Sequence, residues 1–352
     1  MSSSVAQSAK VKSPTRIPNV ITRVLSWGYG IGIGYQNRKF DRGIGVTTLN
    51  RRVISVGNLS AGGTGKTPMV HWVANQLIQA GNSPVIAMRG YRALPGEMGD
   101  EEQEHRSALP DVPVVAQPDR IAGLEKLFAC HEQIDHVILD DGFQHRKISR
   151  DVDIVLIDAS SPPFRDALLP RGFLRDPVSS LARADAIVVT HREMVSDDEL
   201  DKLIDWVEEH TSNCPIAIAS HVWECVSIYK WNGEEWDRHE RTVEQIKDEQ
   251  LVGVCAIGNP EGFFQQMNAS GWEVVGKHSL RDHDAYETKT VKQVLQLLKT
   301  SGGSALCMTR KDWVKAQGQF VTMDGLRIVV PELGFEFQSG EDALSGLIVY
   351  KR

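Results

Sequence analysis

An α/β fold built on a mostly parallel, doubly wound sheet is predicted by three observations. A glycine-rich run, GNLSAGGTGKTP (57–68), lies between a short apolar strand and a stretch with helical spacing. Short apolar segments recur along the chain, with helical stretches between several of them. One of these segments ends in two adjacent aspartates, Asp140 and Asp141. Alternating strands and helices imply a parallel sheet covered on both faces, with its site at the strand C-termini.

The 352 residues are enough for about two domains. Hydrophobic residues make up 41% and charged residues 24%, which excludes a mainly disordered or fibrous chain. The five cysteines are scattered without a CxxC pair, so reduced thiols in a cytosolic protein are expected. Net charge is −7 and unevenly spread: residues 1–52 carry +8 and the remainder −15. An acidic body argues against nucleic acid as a partner, while the basic segment wants an anionic surface.

The first fifteen residues, small and polar, are expected to be disordered. Ile17, Val20, Ile21, Val24, Leu25 and Gly28 then follow helical spacing, with Asn19, Thr22, Arg23 and Ser26 on the other face. Two arrangements fit this amphipathic helix. It packs on the core through its apolar stripe, or it lies in a membrane surface with Trp27, Tyr29 and Tyr35 at the boundary. A signal peptide is a poor fit, because Arg23 interrupts the apolar region and no small-residue cleavage site follows.

Arg51 to Val56 reads as a strand, and Met69, Val70, Val73, Ala74, Leu77 and Ile78 as a helix closed by Gly81. Between them Ser60, Ala61, Gly62, Gly63, Thr64, Gly65, Lys66 and Thr67 form a phosphate-binding loop, a relaxed GxxxxGK(S/T) with Ser60 at the first glycine position. The glycines let successive N–H groups point at phosphate oxygens, and the helix N-terminus adds its dipole. Lys66 reaches the β/γ-phosphates and Thr67 is a ligand for Mg²⁺. Further strands are expected at Pro84–Met88, Val112–Ala116, His136–Leu139, Asp153–Ile157, Ala186–Val189 and Pro215–Ala219, with a helix at Arg120–Cys130. Asp140 and Asp141, after the strand at 136–139, are the expected Mg²⁺ or Mg²⁺-water partners; strand alternation puts one of the two toward the metal.

These residues resemble the tetraacyldisaccharide 4′-kinase family. The matching stretches include ISVGNLSAGGTGKTP (54–68), RGY (89–91), GDE (99–101) and ILDDGFQHRKISRDVDIVLID (138–158). They continue with LLPRGFLRDP (168–177), AIGNPEGFF (256–264) and DHDAY (282–286). The resemblance implies transfer of the γ-phosphate of ATP, with Mg²⁺, to the 4′-hydroxyl of a tetraacylated glucosamine disaccharide 1-phosphate in lipid A synthesis. It implies peripheral association with the cytoplasmic face of the inner membrane through the basic N-terminus. It gives Asp100 the role of catalytic base and His283 that of its supporting histidine. Arg89, Arg120 and Arg175 become phosphate- or substrate-binding positions, together with Gln144 and His145. Without the resemblance, GDEEQEH reads as an exposed acidic loop and His283 as a loop histidine.

After about residue 212 the rhythm loosens. Asn232-Gly233 marks a hairpin turn, and strands and helices near 251–257, 260–267 and 288–298 form a smaller α/β unit. The expected organisation is a tail at 1–15, a kinase core at 16–212 and a lid domain at 213–352, with 316–352 unassigned. The competing reading is a membrane-associated switch ATPase or GTPase that phosphorylates no acceptor. SAGGTGKT lacks the additional early lysine of dimerising membrane-targeted ATPases, and no guanine-reading NKxD run occurs.

Overall fold

The computed structural model describes residues 19–61, 63–90, 98–257, 260–281, 284–321 and 325–349. The expected disordered tail, Gly62 and His283 lie outside the described residues. In chain order the elements begin with α1 (Asn19–Asp41), β1 (Arg52–Asn58), α2 (Lys66–Gln79), β2 (Pro84–Met88) and α3 (Asp100–Ala108). Next come β3 (Val114–Ala116), α4 (Arg120–Cys130), β4 (His136–Asp140), β5 (Val152–Asp158), β6 (Ala186–Thr190) and α5 (Asp197–His210). They are followed by β7 (Ile216–Trp231), β8 (Trp236–Arg241), β9 (Gln250–Cys255), α6 (Pro260–Ala269) and β10 (Glu273–Ser279). The last are α7 (Thr288–Thr300), β11 (Ala305–Met308), α8 (Arg310–Ala316), β12 (Arg327–Ser339) and α9 (Glu341–Val349). The chain divides into two compact units. Met1–Lys66, Ile134–Ala219 and Phe337–Arg352 form one; Thr67–Gln133 and Ser220–Glu336 form the other.

In the first unit β6, β5, β1 and β4 lie side by side and parallel, with the start of β7 beyond β6. Their Ile and Val residues are buried on both faces, as strands under two helical layers require. Val56 pairs with Asp140 on one side and Ile154 on the other, so these strands reach the same edge of the sheet. Helix α5 starts at a Ser196–Glu199 capping box and buries Leu200, Leu203 and Val207 against Val155, Ile187 and Phe143.

Helix α1 runs through its four glycines as far as Asp41. Its polar face is the buried one. Thr22 is 2% exposed and Ser26 8%, whereas Val24 is 64% and Trp27 71% exposed. The polar contacts are specific: Ser26 Oγ donates to Leu168 O at 2.8 Å, and Tyr29 OH donates to Arg175 O at 3.0 Å. No helix among the described residues is long and apolar enough to cross a membrane.

In the second unit β10, β9, β11 and β12 are parallel, followed by β7 and then β8. Strands β2 and β3 form a further parallel pair. The hairpin turn at Asn232-Gly233 is present: Gly233 has φ +104°, and Asn232 Oδ1 accepts from the N–H groups of Glu234 and Glu235. Trp313, Tyr229, Tyr286 and Phe320 anchor the core, and α3 packs against α8. The short strand expected at 215–219 and the first arm of the hairpin are one continuous strand, β7. No glycine or proline falls between Ile216 and Trp231 to break it.

Candidate active site

Strand β1 ends at Asn58, and the glycine-rich loop leads into α2, whose first residue is Lys66. The RGFLR segment pairs with the start of this loop. Ala61 N donates to Phe173 O and Arg175 N to Leu59 O, both at 2.7 Å, and Ser60 bridges Leu174. Farther along, Thr190 Oγ1 at the end of β6 donates to Thr64 O at 3.2 Å. Gly65 has φ +84°, a conformation that excludes most side chains, while nothing lies within 4 Å of where a Gly63 Cβ would stand. Lys66 Nζ donates to Asn58 Oδ1 at 3.3 Å and lies 3.6 Å from Asp141 Oδ1.

Asp140 closes β4 and is buried. Asp141 follows in the left-handed region, with φ +50°. The turn folds directly onto β1: a Cβ on Gly142 would stand 2.4 Å from Ser55 Oγ, and one on Gly57 2.6 Å from Phe143. This close approach delivers Asp141 to Lys66. Arg175 Nη1 donates to Asp141 Oδ2 at 2.7 Å, so the carboxylate lies between two cations. Gln144 Nε2 donates to Asn58 O at 2.7 Å, and Arg150 Nη2 donates to the carbonyls of Gly142 and His145. Lys66, Asp141, Arg175, Gln144 and His145 are thus tied together around Asn58 and the end of β4. A loop entering a helix N-terminus beside a lysine and an arginine fits a phosphate chain. Asp140, Asp141 and Thr67, the second residue of α2, are hard oxygen donors of the kind Mg²⁺ takes.

At the same edge, His191 follows β6 with φ +57°, its Nδ1 3.1 Å from Asp158 Oδ1 at the end of β5. Burial disfavours the His191 charge, but the hydrogen bond and charge of Asp158 outweigh it and raise the histidine pKa. Burial likewise works against the Asp158 charge, and bonds from His191 and Ser160 outweigh it, lowering that pKa.

The other predicted residues lie in the second unit. Arg89 directly follows β2 and is exposed; Arg120 is the first residue of α4 and is buried. GDEEQEH is not a loop: Asp100 opens α3, whose His105 is buried with Nδ1 3.0 Å from His71 Nε2. Burial pushes the Glu104 carboxyl up, against the opposing charge of Lys311, His105 and Arg310. Asp100 Oδ2 lies 3.1 Å from Lys315 Nζ on α8. The motifs assign no role to Asn58, Thr190 or Lys315. Asn58 alone left a trace in the sequence, as an amide ending an apolar strand just before the loop.

Known proteins resemble this chain over most of its length. The family profile Tetraacyldisaccharide-1-P 4'-kinase matches residues 19–349. A tetraacyldisaccharide 4'-kinase of Halothermothrix orenii is 33% identical over 288 residues, covering 76% of this chain and 74% of that protein. One from Chlorobium phaeovibrioides is 33% identical over 320 residues, covering 85% and 87%. Among solved structures, LpxK from Aquifex aeolicus in complex with ATP superposes with a TM-score of 0.72 at 27% identity, covering 94% of this chain and 99% of that one. A family match spanning both units, on a chain whose phosphate loop and acidic pair are joined through Lys66 and Asp141, places this protein in the tetraacyldisaccharide-1-phosphate 4′-kinase family.

Proposed function

We propose that this ATP-dependent lipid A 4′-kinase divides its chemistry among the residues as follows. The loop at Ser60–Thr67 holds the triphosphate, with Lys66 on the β- and γ-phosphates and Arg175 as a second cation beside it. Asp140, Asp141 and Thr67 hold Mg²⁺, which when bound neutralises charge on the phosphate oxygens. Asp100 takes the proton of the acceptor 4′-hydroxyl, and His283 orients that carboxylate. Arg89 and Arg120 bind phosphate or substrate, with Gln144 and His145 bracing the loop after β4. The observation that carries this reading is the three-way contact of Asp141 with Lys66 and Arg175, because a kinase needs its phosphate cations and its metal carboxylates on one another.

The acceptor is a lipid, and α1 supplies a reason for the protein to meet it. Its outward stripe of Val20, Val24, Trp27, Ile31 and Tyr35, edged by Arg23 and Arg38, suits the cytoplasmic face of the inner membrane, with the protein bound peripherally. A cavity of about 590 Å³ lined by Arg23, Arg38, Arg171, Trp27 and Leu168 combines cations with apolar walls, as an anionic lipid requires. Incubation with γ-labelled ATP, Mg²⁺ and a panel of lipid and sugar acceptors tests the reading. Label in the tetraacylated disaccharide supports it. Label released only as inorganic phosphate would support the switch ATPase instead.

A further inference from the structure

We propose that Lys315 is a positioning residue for the proposed base, Asp100. The inference rests on the reading of Asp100 as the group that accepts the hydroxyl proton.

Asp100 is the first residue of α3, and its side chain is 51% exposed. Gly99 before it makes no side-chain cap, so the helix start itself does not fix the carboxylate. A base with that freedom spends most of its time off the line to the acceptor hydroxyl, and orientation is a large part of what an enzyme supplies. Lys315 removes the freedom. Its ammonium is 3.1 Å from Asp100 Oδ2, and its side chain is only 12% exposed, so packing along the stem restricts where the charge can stand.

The helix carrying Lys315 is held firmly. Trp313 packs against a tilted Tyr229 and an edge-on Trp236, with ring centroids 4.6 and 4.8 Å away. Thr309 caps the helix through Asp312 N, and the buried Asp312 carboxylate accepts from Ala256 N at 3.1 Å. At the start of α8, Arg310 pairs with Glu332 and donates to Tyr229 OH at 2.6 Å and to Ser107 Oγ at 2.8 Å. Ser107 lies at the far end of α3 from Asp100. The two helices therefore run antiparallel and are pinned at both ends, Arg310 to Ser107 and Lys315 to Asp100.

The other charges of the pair are engaged elsewhere. On α3, Glu102 pairs with Arg106 at 2.9 Å, and the half-buried Glu104 feels the charges of Lys311, His105, Arg310 and Glu101. On α8, Lys315 also acts on Asp312, the buried acid one turn before it. Among the described residues, Lys315 is the cation within ion-pair reach of Asp100.

With Oδ2 held by the ammonium, Oδ1 is the oxygen that accepts the proton. As the 4′-oxygen forms its bond to the γ-phosphorus, the bond from that phosphorus to the β,γ-bridging oxygen breaks. ADP leaves with the electron pair, and the hydroxyl proton passes to Asp100 Oδ1, from which it is lost to water.

The test uses the full-length protein with ATP, Mg²⁺ and the tetraacylated disaccharide. Lys315→Met is expected to lower kcat by about 10-fold or more while leaving KM for ATP within about 2-fold, because the nucleotide is held by other residues. Lys315→Arg should recover most of the loss, since it restores the cation. In an Asp100→Ala background, Lys315→Met should cost nothing further. Wild-type kcat in Lys315→Met overturns the proposal, and so does an equal loss in the Asp100→Ala background, which would mean that the lysine acts through the fold. Should Lys315→Met not fold, Lys315→Gln gives the same comparison with a polar side chain. A separate result, near-wild-type kcat in Asp100→Ala itself, would remove the reading of Asp100 as base and the proposal with it.

Discussion

At the scale of single residues, Lys66 is held ready by two oxygens, Asn58 Oδ1 and Asp141 Oδ1. Both are anchored by backbone geometry, one at the end of a buried strand and the other in a left-handed turn. Lys66→Ala is expected to reduce phosphoryl transfer at saturating ATP by about 100-fold or more, the scale of removing one charge stabiliser from a transition state. Circular dichroism should show the fold unchanged, and near-wild-type turnover in a folded mutant would remove the lysine from the site. Asn58 is a subtler case. It is buried, its Oδ1 holds Lys66 and its carbonyl receives Gln144. Asn58→Ala should raise KM for ATP and lower the melting midpoint, consistent with losing a buried hydrogen bond worth about 1 kcal/mol. Steady-state kinetics and thermal melting check the two halves independently.

At the scale of elements, α1 inverts the ordinary rule. The helix buries Thr22 and Ser26 and leaves Val24 and Trp27 outside, the arrangement on which the proposed membrane contact rests. Replacing Val24 and Trp27 with serine is expected to cut sedimentation with vesicles rich in anionic lipid by about 10-fold or more, since each such side chain contributes roughly 1.5–3 kcal/mol when buried. The melting midpoint should stay where it is. A lowered midpoint with unchanged vesicle binding would mean that the stripe is packed within the protein. The sequence carried the stripe but not its direction, because periodicity records which residues share a face and not what that face meets. The same limit applies elsewhere. The glycine-rich loop and the DDG turn were legible, since each needs particular residue types at fixed spacing. The helical state of GDEEQEH was not, because its polar surface resembles a loop until His105 is seen to be buried. Lys315 was invisible for a different reason: its partner Asp100 lies more than two hundred residues earlier in the chain.

At the scale of the whole molecule, stability is expected to respond to pH through the His191–Asp158 pair. The raised His191 pKa means that the folded protein binds that proton more tightly than the unfolded chain. Its contribution is complete below about pH 6.5 and fades as pH rises through the elevated folded value. Asp158, lowered in the folded state, contributes above about pH 3.9 and is lost as pH falls through its depressed value. His191→Gln should therefore flatten the decline in melting midpoint between neutral and mildly alkaline pH; parallel curves for mutant and parent would count against the pair. The central claim is that the phosphoryl group goes to one hydroxyl of a lipid-linked sugar. A 4′-deoxy analogue of the tetraacylated disaccharide tests it most directly. With γ-labelled ATP, the account predicts that the analogue takes up no label and competes with the natural acceptor. Label appearing in the 4′-deoxy compound would contradict the account.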